Sequence, residues 1–289
     1  MARRRGILLL TLFVGCPQIL AAEEDCVKAD YGTVCLDPVE NDKDRSVTIS
    51  AHNRETYEVT ITLNAKLKNM TSSVKFPYTR ALDGGFRQPI LKFVGNPQGD
   101  REWEYSWKWI VGSLNARHDD SVIYDLPYKG TRKVLQGFHG TFSHTGENEY
   151  AVDWEMPVGT AVHAAREGTV VAVRSTMNKG GPHSQYGDSS NYIWMRHPDG
   201  TIGSYEHLKQ GGVVVKAGDR VSRKQLIGYS GNTGWTSVPH LHFSATRPID
   251  GSKYQSFPIR FQTAAGIITP TEGRSYSPPD DTRRSPTSK

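Results

Sequence analysis

The sequence predicts an all-β protein built from two domains. Short apolar runs with period-two alternation recur along the 289 residues, and turn-forming residues, 28 glycines among them, separate those runs. Beyond Gly130 the texture changes to more glycine, more histidine and tighter strand–turn units, which divides the chain. The length suits one large domain or two medium ones, each with its own core. A composition of 36% hydrophobic and 22% charged residues is that of a soluble globular chain.

Taken in order, the chain opens with Arg3, Arg4 and Arg5 ahead of the apolar run Ile7 to Val14, followed by the small residues Ala21 and Ala22. That run is too short to span a bilayer, so residues 1–22 read as a cleaved secretory signal peptide and no stable membrane span is expected. An imperfect lipobox, Phe13-Val14-Gly15-Cys16, leaves lipidation of Cys16 as the alternative. The net charge of +5 falls to about +2 without the three leader arginines, and no basic stripe remains to suggest a nucleic-acid partner. Cys26 and Cys35, nine residues apart in an exported chain, read as a structural disulfide. Export places the protein in the periplasm, outside the cell or in the cell envelope.

The first domain is expected over 23–130. Val47, Ile49 and Ala51 alternate on one strand, and Tyr57, Val59 and Ile61 repeat the pattern after Asn53-Arg54. Trp103, Tyr105, Trp107 and Trp109 alternate with polar residues, and an aromatic stripe at strand spacing reads as core. Several such strands suggest a β-sandwich of the immunoglobulin-like kind. In the second domain, expected over 131–272, Thr169 to Val173, Tyr192 to Arg196, Val213 to Val215, Leu226 to Tyr229 and His240 to Ala245 read as strands. Residues 273–289 are rich in Pro, Ser, Asp and Arg and read as a disordered tail.

The sharpest chemical feature is Pro239-His240-Leu241-His242-Phe243. On a strand His240 and His242 share one face while Leu241 and Phe243 point into a core. Two adjacent imidazoles repel if both are protonated, so a metal or a catalytic task explains them.

Further stretches stand in a fixed order around this pair. Ser143-His144-Thr145-Gly146 and Tyr150-Ala151-Val152-Asp153 come first, followed by Gly159-Thr160-Ala161-Val162-His163-Ala164-Ala165. Tyr205-Glu206-His207-Leu208 and Gly231-Asn232-Thr233-Gly234 then precede the His-Leu-His. Over roughly 135–265 the chain resembles the lysostaphin/LytM-type zinc metallopeptidases, peptidoglycan endopeptidases with an antiparallel β-sheet peptidase domain. The resemblance implies one Zn2+ per chain held by His144, Asp153 and His242, with a fourth position left for water. It gives the catalytic roles to His240, as general base, and His207, which stabilises the oxyanion or handles the leaving amine's proton. The implied substrate is the peptide stems of peptidoglycan. Many relatives place the first metal His four residues before the Asp, where this chain has Glu149. Glu149 and His139 therefore stand beside His144 as alternatives. Two alternative functions also stand: a non-catalytic relative that binds cell wall or activates an amidase, and a secreted peptidase acting on proteins.

Overall fold

A computed structural model describes residues 2–7 and 24–280. Most of the expected signal peptide, Cys16 included, and residues 281–289 of the expected tail lie outside the described residues. The chain is nearly all β, and no helix among the described residues is long and apolar enough to cross a membrane. It divides into two compact units, 1–115 with 248–253, and 116–247 with 254–289.

In the first unit two antiparallel sheets enclose the core. One carries Ala2–Ile7, Glu102–Val111, Val59–Lys68 and Tyr78–Leu82, in that order across the sheet. The other carries Asp25–Ala29, Gly32–Asn41, Ser46–Asn53, Arg87–Gly95 and Met70–Ser72. Val47, Ile49 and Ala51 alternate inward as their period requires and are fully buried. The aromatic stripe is core: Tyr105 and Trp107 are 1% exposed, and Phe93 of the other sheet meets Trp103 at 6.4 Å between ring centroids. Each such buried ring contributes roughly 1.5–3 kcal/mol. Cys26 and Cys35 face each other across the first hairpin and form a disulfide.

The second unit is organised by one large antiparallel sheet. Its central strands run in the order Tyr192–Arg196, Ile202–Glu206, His240–Pro248, Val152–Glu155 and Arg132–Gln136. One face packs Trp154, Tyr205, Leu241 and Phe243 into the core, all fully buried. The opposite face carries the histidines. Two expectations shift here. The strand expected at Val213 to Val215 lies earlier, over Leu208–Val213, with an irregular register against Leu226–Ser230 and Gly211 at φ +66°. The tail is ordered at its start. Ser275–Tyr276 pairs with Arg132–Gln136, because Tyr276 supplies the apolar surface that the composition seemed to lack, packing its ring against Trp154.

Candidate metal centre

Three neighbouring strands bring the site together. Asp153 lies directly opposite His242 in the ladder between Val152–Glu155 and His240–Pro248, and Gln136 lies opposite Asp153 on the other side. Cross-strand partners sit about 5 Å apart at Cβ, so register alone sets these side chains in contact. His144 arrives from the loop after Gly137. His207 follows the strand Ile202–Glu206, where simple alternation would send it into the core beside Tyr205. Its left-handed backbone, φ +62°, breaks the alternation and turns the imidazole onto the histidine face.

The ligating atoms of His144, Asp153 and His242 lie within 4.8 Å of one another. Asp153 Oδ1 is 2.9 Å from His242 Nδ1, 3.2 Å from His144 Nε2 and 3.7 Å from His240 Nε2. The ring of His207 is 4.5 Å from that of His240 and 5.9 Å from that of His242. All five side chains are buried or nearly so. Asp153, His207, His240 and His242 line a cleft of about 270 Å³ whose rim carries the exposed rings of Phe142 and Trp235, and His144 is fully buried beside Asp153.

Backbone carbonyls fix the ring orientations. His144 Nδ1 donates to Gly137 O at 2.8 Å, His207 Nδ1 to Thr233 O at 2.8 Å and His240 Nδ1 to Val238 O at 2.7 Å. Each of these rings therefore presents a bare Nε2 lone pair. For His144 that atom is buried with no hydrogen-bond partner, while it faces a carboxylate oxygen at 3.2 Å. Two acceptors turned toward each other in a dry site repel, and a cation between them removes the conflict. The donor set of two imidazoles and a carboxylate fits a divalent metal of zinc type.

The electrostatics agree. Burial works to raise the Asp153 carboxyl, but the imidazoles of His144, His242 and His240 outweigh it and hold the group well below its usual range. Burial lowers His240, and burial with the neighbouring imidazoles lowers His207 to about 4, so both rings are neutral near pH 7.

The two alternatives for the first position stay out of the cluster. His139 and Glu149 pair with each other at 3.2 Å on the surface, with side chains 60% and 47% exposed. Tyr205 is core, its hydroxyl accepting the Ala165 N–H at 2.8 Å, whereas Trp235 lies at the rim. The loop from Met177 to Ser190 reaches that rim, where Pro182 O accepts the Trp235 indole N–H at 3.2 Å.

Sequence reasoning passed over Gln136. Its amide donates to Asp153 Oδ2 at 3.2 Å and to Ser143 Oγ at 2.8 Å. Its carbonyl oxygen accepts the N–H groups of Phe142 and Ser143, next to His144. One side chain thus braces both the carboxylate and the loop that carries the first imidazole. Gly140 leaves room for it, since a Cβ there would come within 2.2 Å of Gln136 Cγ.

Comparison with known proteins gives a family match over part of the chain. Residues 147–255 match peptidase family M23, a range that holds Asp153, His207, His240 and His242, while His144 lies three residues before it. Glycyl-glycine endopeptidase ALE-1 of Staphylococcus capitis is 37% identical over 122 residues, 42% of this chain and 31% of that protein. Peptidoglycan DD-endopeptidase ShyA of Vibrio cholerae is 38% identical over 35% of this chain and 21% of its own length. ShyB of the same organism is 32% identical over 66% of this chain and 48% of its own. The chain spans less than half the length of these relatives. A sequence match over 147–255 and a His–Asp–His group on one sheet face point the same way: this chain carries a peptidase family M23 domain, similar to those of glycyl-glycine and peptidoglycan endopeptidases.

Proposed function

We propose that this chain is an exported zinc endopeptidase that hydrolyses peptide cross-links of bacterial peptidoglycan. The observation that carries the reading is the grouping of His144, Asp153 and His242 beside a cleft that two further neutral imidazoles, His207 and His240, also line. His144, Asp153 and His242 would hold the zinc. When bound, the metal supplies Lewis-acid polarisation of a peptide carbonyl and acidifies water toward neutral pH.

The chain's own groups handle the protons. His240 Nε2 is the base: its Nδ1 is committed to Val238 O, and burial keeps the ring neutral and able to accept. Thr236 Oγ1, 3.1 Å from His240 Nδ1, steadies the same edge of the ring. His207, held by Thr233 O beside His240, stabilises charge on the carbonyl oxygen or passes the proton to the leaving amine. Burial of all these rings excludes bulk water, which strengthens each electrostatic contact.

Peptidoglycan as substrate is supported by relatives whose names state glycyl-glycine or peptidoglycan DD-endopeptidase activity. Export is supported by the leader pattern of residues 1–22 and by the Cys26–Cys35 disulfide. The first unit, read as an immunoglobulin-like sandwich, would position or regulate the peptidase. The test is digestion of purified cross-linked peptidoglycan by the full chain. Uncross-linked muropeptides should accumulate with wild type and not with His240→Ala. Metal-loaded wild type that cuts no cross-link type would overturn the reading.

A further inference from the structure

The histidine face continues past the metal centre into a second cavity, of about 70 Å³. Beyond His242 the strand His240–Pro248 presents Ser244 and Thr246. Glu206, Ser204 and Ile202 lie opposite His242, Ser244 and Thr246 in register. Alternation puts all of these on one face of the sheet, so Glu206 stands at the border between the two sites. Trp194, Tyr254 and Glu147 complete the walls.

The chemistry of this cavity is unbalanced in a specific way. Glu206 accepts hydrogen bonds from the Ser204 hydroxyl at 2.9 Å and from Trp194. Glu147 adds a second carboxylate, oriented by the Tyr254 N–H at 3.1 Å. No Lys or Arg lines the cavity. Ser244 is only 3% exposed, yet its hydroxyl hydrogen-bonds no group among the described residues. That hydroxyl lines the cavity and is free to accept a hydrogen bond from a bound donor.

From this arrangement we infer that the cavity is a substrate subsite for a primary ammonium group carried by the peptide cross-link. The inference rests on the endopeptidase reading for its substrate. An ammonium has three N–H donors and no acceptor, which matches two carboxylates and an unpaired hydroxyl. The rings of Trp194 and Tyr254, 6.5 Å apart, add aromatic walls that favour an organic cation. A bare calcium or magnesium ion fits less well, because it takes about six or more oxygen ligands rather than aromatic walls. The subsite makes the enzyme select cross-links with a free amine close to the scissile bond.

The test is equilibrium binding, by calorimetry, to the full chain carrying His240→Ala, which blocks cleavage. The two probes are a short stem peptide with a lysine side chain and the same peptide Nε-acetylated. The free amine should bind about tenfold more tightly or better, equivalent to roughly 1.4 kcal/mol. Glu147→Gln and Ser244→Ala should each narrow that gap, and the near-isosteric Glu206→Gln should close it. Equal affinity for the two peptides, or a gap that survives all three substitutions, overturns the inference. A preserved amine preference in a chain that cuts no cross-link leaves the ammonium site standing and removes only the peptidoglycan substrate.

Discussion

Two strands of this molecule bear residue stripes of the same period, and they do opposite work. Glu102–Val111 alternates Trp103, Tyr105, Trp107 and Trp109 with polar residues, and its aromatic face fills the core of the first unit. His240–Pro248 alternates too, but both its faces are buried: Leu241, Phe243 and Ala245 on one side, and His240, His242, Ser244 and Thr246 on the other. A strand with one face in solvent needs no explanation beyond the hydrophobic effect. A strand that buries a row of polar side chains pays desolvation and must recover it through hydrogen bonds, a metal or a ligand. Buried polarity at strand period, rather than aromatic content, marks the functional face.

The largest expected effect separates the stripes most sharply. His240→Ala should lower cross-link cleavage by about 10²–10⁴-fold, since it removes a positioned base, while thermal unfolding of the chain barely moves. Both would be read by muropeptide release and calorimetry on the same preparation. On the other stripe, Trp107→Ala should destabilise the first unit by about 3–5 kcal/mol, read by denaturant titration, because it empties a fully packed site.

A smaller effect comes from a buried histidine outside the metal centre. His197 is fully buried, its Nδ1 donating to Glu167 O at 2.8 Å, and burial lowers it to about 4. The folded state therefore resists a proton that the unfolded chain binds near pH 6.5. Stability is complete above that pH and falls as pH drops toward 4, by roughly 3 kcal/mol for this group. His197→Leu should flatten that part of the stability–pH curve. The smallest effect tests the brace. Gln136→Leu should weaken metal affinity about 10–100-fold in competition with a chromophoric chelator, with little loss of stability.

Some of this was open to reading in the amino-acid order. His240 and His242 are legible because strand alternation is a local rule, and the same rule places Leu241 and Phe243 in the core. Asp153 and His207 are recognisable through the ordered stretches around them. Gln136 is not, because its role depends on the register between Arg132–Gln136 and Val152–Glu155, two strands whose pairing no short pattern announces. Glu206 is hidden for the same reason: its partner His242 lies 36 positions along the chain, joined by strand pairing alone. The turn of His207 onto the histidine face needs a left-handed backbone at a non-glycine residue, which composition does not signal. Tyr276 shows the limit of compositional reading, since one aromatic ring suffices to anchor a segment that is otherwise Pro- and Ser-rich.

The central claim is that His144, Asp153 and His242 hold a metal while His240 stands beside it as a proton carrier. The most direct test is the zinc content of purified wild type, Asp153→Ala and His240→Ala after equilibration with limiting zinc and gel filtration. The account predicts close to one zinc per chain for wild type and for His240→Ala, and close to none for Asp153→Ala. Zinc retained by Asp153→Ala, or lost equally from both variants, would contradict it.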